Sequence, residues 1–268
     1  MQDKAKKAKK KRTLIYKPYL KGNCVSGYAV KRGLKVLLYY LIFAFLYLIL
    51  GATLQFDSTA LRVITNALLV LVCVALMYME GARLGESEVA LAEIAWARKE
   101  AGREVSRQDR DRCYHPMKGF FIFLVGVALL LLLAIPHALT AQKQVYSLQT
   151  LPSWVSAFDG HDEVALPLQY YQRDYALTAW DILRMVVRVL VFPFANIATS
   201  GNADAMLTVD RLSPLLVCIP ALGFPAGYLT GPRSRAMVHG DIKTSVKRHQ
   251  RREKKARQQR AAKKNELI

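Results

Sequence analysis

Two neighbouring stretches decide the fold: TAWDILRMVVRVLVFPFANIAT (178–199) and LSPLLVCIPALGFPAGYLTG (212–231). In the first, Asp181, Arg184 and Arg188 interrupt an otherwise apolar run. At about 100° per residue these three fall on one narrow face, with Ile182, Leu183, Met185, Val186, Val189 and Leu190 over the rest. Such a helix lies along a membrane interface, or dips in and returns through Phe192, Pro193, Phe194, Ala195 and Asn196, where protein must cover any non-helical backbone. The second stretch is uncharged and long enough to cross a bilayer. Each interior proline removes a backbone hydrogen bond and crowds the preceding turn, so kinks are expected at Pro220 and Pro225. Gly223, Gly227 and Gly231 repeat every fourth residue, which predicts close packing against another helix.

Further apolar runs lie at 34–54, 61–80 and 119–139, each near the length a membrane-crossing helix needs. Whether 178–199 is a further crossing is decided by charge. Residues 1–35 hold twelve Lys and Arg and residues 231–268 hold thirteen, whereas the stretch 140–175 has only Lys143 and Arg173 against Asp159, Asp162, Glu163 and Asp174. Basic segments stay on the cytosolic side. After three crossings the chain is outside, and one more returns the basic C-terminus to the cytosol. The expected fold is therefore an all-α polytopic membrane protein with four transmembrane helices and one interfacial or re-entrant amphipathic helix. Its parts are a basic cytosolic tail (1–32), a membrane domain (33–231) with the last span at 211–231, and a basic cytosolic tail (232–268). Within the membrane domain, 82–117 is a cytosolic helical segment, 140–175 an outer loop and 176–199 the amphipathic segment. Both termini are expected in the cytoplasm of a plasma-membrane protein. The first apolar run has no small-residue cleavage site convincingly following it, so it reads as an uncleaved span.

The net charge of +19 coexists with 53% hydrophobic residues because the charge sits at the chain ends, which excludes a basic soluble domain. Both tails are expected to meet anionic lipid headgroups, at about 1 kcal/mol per basic residue near the surface. Nucleic acid ranks below that, because lysine runs beside spans commonly serve topology. In the 82–113 segment, Ala90, Ile94, Ala97, Ala101 and Val105 form a weak apolar stripe. Glu100 with Arg103, and Glu104 with Arg107, can pair across one turn. Leu91, Ile94 and Trp96 are candidate anchors for a partner.

Candidate chemistry is sparse. Cys24, Cys73, Cys113 and Cys218 are expected to be free thiols. Cys113 with His115 supplies two ligands where a structural zinc site needs four, and the consecutive His161, Asp162 and Glu163 point in different directions, so no metal is expected. His137 reads as a capping or interfacial residue, and Asn66 as a helix-to-helix hydrogen bond. Phosphate-loop, zinc-protease, nucleophile-elbow and dinucleotide motifs are absent from the sequence, so neither catalysis nor a cofactor is expected.

Three functions follow as expectations. The first is a non-enzymatic accessory or scaffolding subunit acting through a protein partner or a second copy. The second is a small transporter or channel, its polar path lined by Asp181, Arg184, Arg188, Asn66 and the kinked last helix. The third comes from layout: two spans joined by a charged cytosolic helical hairpin, arginines near the membrane and a basic tail resemble the insertase family. That resemblance implies delivery of nascent membrane proteins.

Overall fold

The computed structural model describes residues 14–51, 53, 56, 58–143, 178–198 and 202–265. The described residues are helical, without strands, in the order α1 (Gly27–Gly51), α2 (Thr59–Glu100), α3 (Arg107–Arg112), α4 (Lys118–Thr140), α5 (Ala179–Leu190), α6 (Phe192–Ala198), α7 (Ala203–Leu229) and α8 (Gly231–Asn265). Four of them, α1, α2, α4 and α7, are long and apolar enough to cross a membrane. They coincide with the four apolar runs, and α5, at 12 residues, is too short to join them.

The bundle is organised around a parallel pair. A Cβ added to Gly223 would overlap the Val74 carbonyl, one on Gly227 the Tyr78 carbonyl, and one on Gly231 the backbone of Gly85. Reciprocally, Gly81 faces the Phe224 carbonyl and Gly85 the Tyr228 carbonyl. Both helices therefore advance in the same direction with their backbones touching, a separation only glycine permits. α4 packs on α7 and on α1, where Gly126 accommodates Val36. Outward-facing side chains remain apolar, among them Ile49, Leu68, Leu132 and Leu215.

α7 runs unbroken through Pro214, Pro220 and Pro225, so the expected kinks do not interrupt it. Part of the reason is local: the Ser213 hydroxyl donates at 2.7 Å to the Asp210 carbonyl, which Pro214 leaves without an amide partner. The glycine contacts also hold this helix closely against α2.

Two ends can be distinguished. At the tail end, α2 continues as one helix well past its apolar part, to Glu100, and α8 follows α7 alongside it. α2 then stops because Gly102 adopts φ 71°, a left-handed conformation. Glu100 and Arg103 thus share no helical turn, and the ion pair formed here is Arg98–Asp109 at 3.4 Å.

Residues 14–26, expected as part of a solvated tail, instead form an extended strap. The Ile15 amide donates to Ala236, Leu20 to Ala92 and Gly22 to Tyr114, at 2.9–3.1 Å. α1 consequently starts at Gly27, ahead of the expected 34, with the Ser26 hydroxyl accepting from the Ala29 amide. The basic tail after 231 is likewise a helix.

The buried face of the 82–100 segment also differs from expectation. Leu84, Gly85, Glu88, Val89, Ala92 and Ala95 are buried, while Ile94 and Ala97 of the apolar stripe are exposed. Small residues and a paired acid, rather than the largest aliphatics, let the strap, α4 and α7–α8 approach α2 closely. At the far end, α5 and α6 fill the space beside α1, α4 and α7, and the Phe192 ring sits against Gly51. The triplet His161, Asp162 and Glu163, most of the outer loop 140–175, and residues 1–13 lie outside the described residues.

Candidate functional site

Polar side chains concentrate at both ends of the bundle. At the far end, α5 starts with a capping box: the Asp181 amide donates to the Thr178 hydroxyl oxygen, and the Thr178 amide donates to the Asp181 carboxylate. The Thr178 hydroxyl also donates to that carboxylate at 2.7 Å. With the Thr178 amide and Arg184 adding to it, this bond holds the Asp181 carboxyl below the usual carboxylate range. Arg184 pairs with Asp181 at 3.0 Å along the same helix.

Arg188, one turn further, reaches across to α7. Its Nε and Nη2 donate to the two Asp210 oxygens at 3.1 and 2.7 Å, a bidentate pair. His137 of α4 completes the cluster, its Nε2 standing 3.4 Å from Asp210 Oδ1. The structure thus gathers Asp181, Arg184 and Arg188 on the inward side of α5, and adds Asp210 and His137, which are almost fully buried. Asn66 bonds elsewhere. It is buried on α2, and its amide donates to the Arg62 carbonyl one turn back, so this hydrogen bond is within a helix rather than between helices.

Chemically this is a clamp. Two arginines face two aspartates, and the pairing offsets the cost of withdrawing the charges from water. Part of the apolar surface of α5 points outward, with Trp180, Ile182, Met185 and Val186 about half exposed, while Val187 and Leu190 are buried against the bundle.

At the tail end a buried knot joins three elements. Lys118 Nζ, at the start of α4, lies 2.8 Å from Glu88 Oε2 of α2 and donates to the Cys113 carbonyl at 2.8 Å. Both side chains of this pair are fully buried. The Tyr228 hydroxyl of α7 donates to the same Glu88 oxygen at 2.5 Å. Above it, the Tyr114 ring stacks on Tyr228 with centroids 5.1 Å apart, and Tyr19 of the strap meets Tyr114 edge-on at 5.9 Å. Lys118 also lies over the Tyr28 ring at 5.2 Å. Burial pushes the Tyr114 hydroxyl up to about 12, so it stays protonated at neutral pH.

Further along α2, Glu93 accepts Arg235 Nε at 3.1 Å and lies 2.8 Å from His239 Nε2, fastening α8 to α2. Beside this fastening is an open groove between strap, α2 and α8, lined by Lys17, Pro18, Ile94, Trp96, Arg235 and His239. All four cysteines are free thiols. Among the described residues no group of three or more His, Cys, Asp or Glu could hold a metal ion.

Sequence reasoning missed Asp210 and His137 as partners of Arg188, and Glu88 with Lys118 as a pair. For Asp210 the signal was an acid at the entry of an apolar span, 22 residues after an arginine of α5 whose own helix offers it no nearby acid. For Lys118 it was a lysine directly preceding the longest uncharged run, and no feature of Glu88 singles it out from the other acids nearby. Compared with known proteins, the chain matches no family model, no curated protein and no solved structure.

Proposed function

We propose that this chain is an integral plasma-membrane protein with both termini in the cytoplasm, and that it works as a non-enzymatic accessory or scaffolding subunit. In this reading α1, α2, α4 and α7 cross the bilayer, and the tail end is cytoplasmic. α5 and α6 enter from outside and return, which the outward apolar face of α5 supports: its charges turn to protein, while Trp180, Ile182, Met185 and Val186 are left for lipid. Exposed Lys31, Arg83 and Arg233 around the tail end are placed to meet anionic headgroups.

The observation that carries the docking function is the set of contacts that ties the tail end together. Serving topology alone requires only basic residues. Here the strap is hydrogen-bonded to α2, α8 and the α3–α4 connection, and Glu93 ties α8 to α2 through Arg235 and His239. The result is a shaped platform whose groove presents Ile94 and Trp96 between charged rims, the arrangement of an anchor in a polar surround. The transport reading has less support, because Arg184 and Arg188 are each matched by an aspartate. Purification at native expression in a mild detergent tests the proposal. It should recover a stoichiometric protein partner, or a homo-oligomer; a clean monomer would overturn it.

A further inference from the structure

α8 outlasts its own packing. Gly231 touches Gly85, and Arg235 and His239 meet Glu93, so α8 and the extension of α2 climb together away from the bundle. His239 is level with Glu93 and α2 ends at Glu100, so among the described residues α8 extends past its neighbours from about residue 247 onward. At 1.5 Å per residue it projects about 28 Å beyond α2. Described side chains from 245 to 258 are exposed on every face of it.

This free part has an unusual charge pattern. Between Lys243 and Lys264 there are eleven Lys and Arg and one acid, Glu253. Lys243 with Lys247, Lys247 with Arg251, Arg248 with Arg252, and Arg251 with Lys255 are like charges one turn apart, which destabilises a helix. Along this stretch His249 lies 3.5 Å from Glu253, both exposed. An anion laid along the helix would reverse the repulsion.

Three anions compete for that place. Bilayer headgroups reach only the root of a helix that leads away from them. A protein that grips a helix uses apolar anchors at i, i+3 or i+4, and i+7, and after Val246 the only apolar residues before Lys264 are Ala256, Ala261 and Ala262. A nucleic-acid backbone offers regularly spaced phosphates and asks for no apolar anchor. We infer that residues 243–265 of α8 are a nucleic-acid-binding arm that holds the sugar-phosphate backbone of RNA without reading its sequence. The choice of RNA rests on the cytoplasmic placement proposed above; the phosphate chemistry rests on the arm alone and uses a different surface from the docking groove.

The test uses the full chain in nanodiscs of phosphatidylcholine and a labelled RNA hairpin. Five phosphate contacts give a salt slope near −4.5, so a fourfold rise in salt should weaken binding roughly 500-fold. The variant Arg248→Gln, Arg251→Gln, Arg252→Gln, Lys255→Gln keeps good helix formers and touches no packed residue. Its bundle should melt as the parent does, while its low-salt affinity for RNA falls roughly 100-fold. Absent RNA binding by the parent, or binding unchanged in the variant, would overturn the inference. So would polyglutamate binding as tightly as RNA, or flotation with phosphatidylglycerol vesicles through these four residues in a protein that ignores RNA. Because the measurement is made on nanodiscs, it does not depend on which side of the cell membrane the arm occupies. Accessibility of a tag at Ile268 reads that separately.

Discussion

Replacing Lys118 with methionine isolates the buried knot that joins α2, α4 and α7. Methionine keeps most of the side-chain volume, so little is lost in packing. What is lost is the 2.8 Å contact to Glu88 and the donor to the Cys113 carbonyl, in a place with no water access. Stranding one member of a buried ion pair costs about 3–5 kcal/mol. Glu88 has one escape, which is to take up a proton while Tyr228 continues to donate to it. Protonating a carboxyl of ordinary pKa 4.3 at pH 7 costs about 3.7 kcal/mol, which caps the penalty near that value.

The sign of the pH dependence follows. A carboxyl that is protonated when folded and ionised when unfolded loses stability as pH rises, by about 1.4 kcal/mol per unit. The variant should therefore be more deeply destabilised at pH 8 than at pH 6. At pH 7 a loss of about 3 kcal/mol corresponds to a fall in Tm of roughly 6–12 °C. Combining Lys118→Met with Glu88→Gln removes both charges and keeps an acceptor for Tyr228, so it should recover most of the loss. The assay is thermal unfolding in detergent, followed by near-ultraviolet circular dichroism. A Tm for the single variant within a degree of the parent, or a double variant no better than the single, would refute the reasoning.

Gly227→Ala should destabilise by about 1–3 kcal/mol, because its Cβ would meet the Tyr78 carbonyl and backbone cannot yield as a side chain can. Gly27→Ala, where nothing lies within 4 Å, should be near neutral in the same melts. Deleting the far-end ion pair as a unit, with Arg188→Leu and Asp210→Leu, strands neither charge of that pair and should leave stability within about 2 kcal/mol of the parent. Reconstituted vesicles carrying that variant should show the same solute flux as the parent, and a loss of flux would move the assignment to transport.

The four long helices were legible because an apolar run of about twenty residues has few alternatives. The glycine spacing 223–227–231 is a local pattern, and those residues indeed face another helix. Charge sorting set the expectation of four spans, and four described helices are long and apolar enough to cross a membrane, while α5 has 12 residues. What the sequence concealed were relations between distant segments. The strap at 14–26 is held by backbone amides, which leave no trace in side-chain composition. The stripe through Ile94 and Ala97 has the right period but faces outward, because Gly85, Ala92 and Glu88 allow a closer approach on the opposite side. Arg188 was legible as a charge within an apolar run, yet its aspartate lies 22 residues on, and the histidine that meets that aspartate lies on α4. The projection of α8 was hidden for the same reason: a lysine-rich tail and a lysine-rich arm read alike until the contacts at Glu93 fix the helix direction.

The most direct test of the docking proposal is photocrosslinking in intact cells from a reactive side chain placed at Ile94, exposed beside the groove, with Leu132, exposed on the apolar flank of α4, as control. The account predicts a discrete protein adduct from position 94 and only lipid adducts from position 132. Lipid adducts alone from both positions would contradict it.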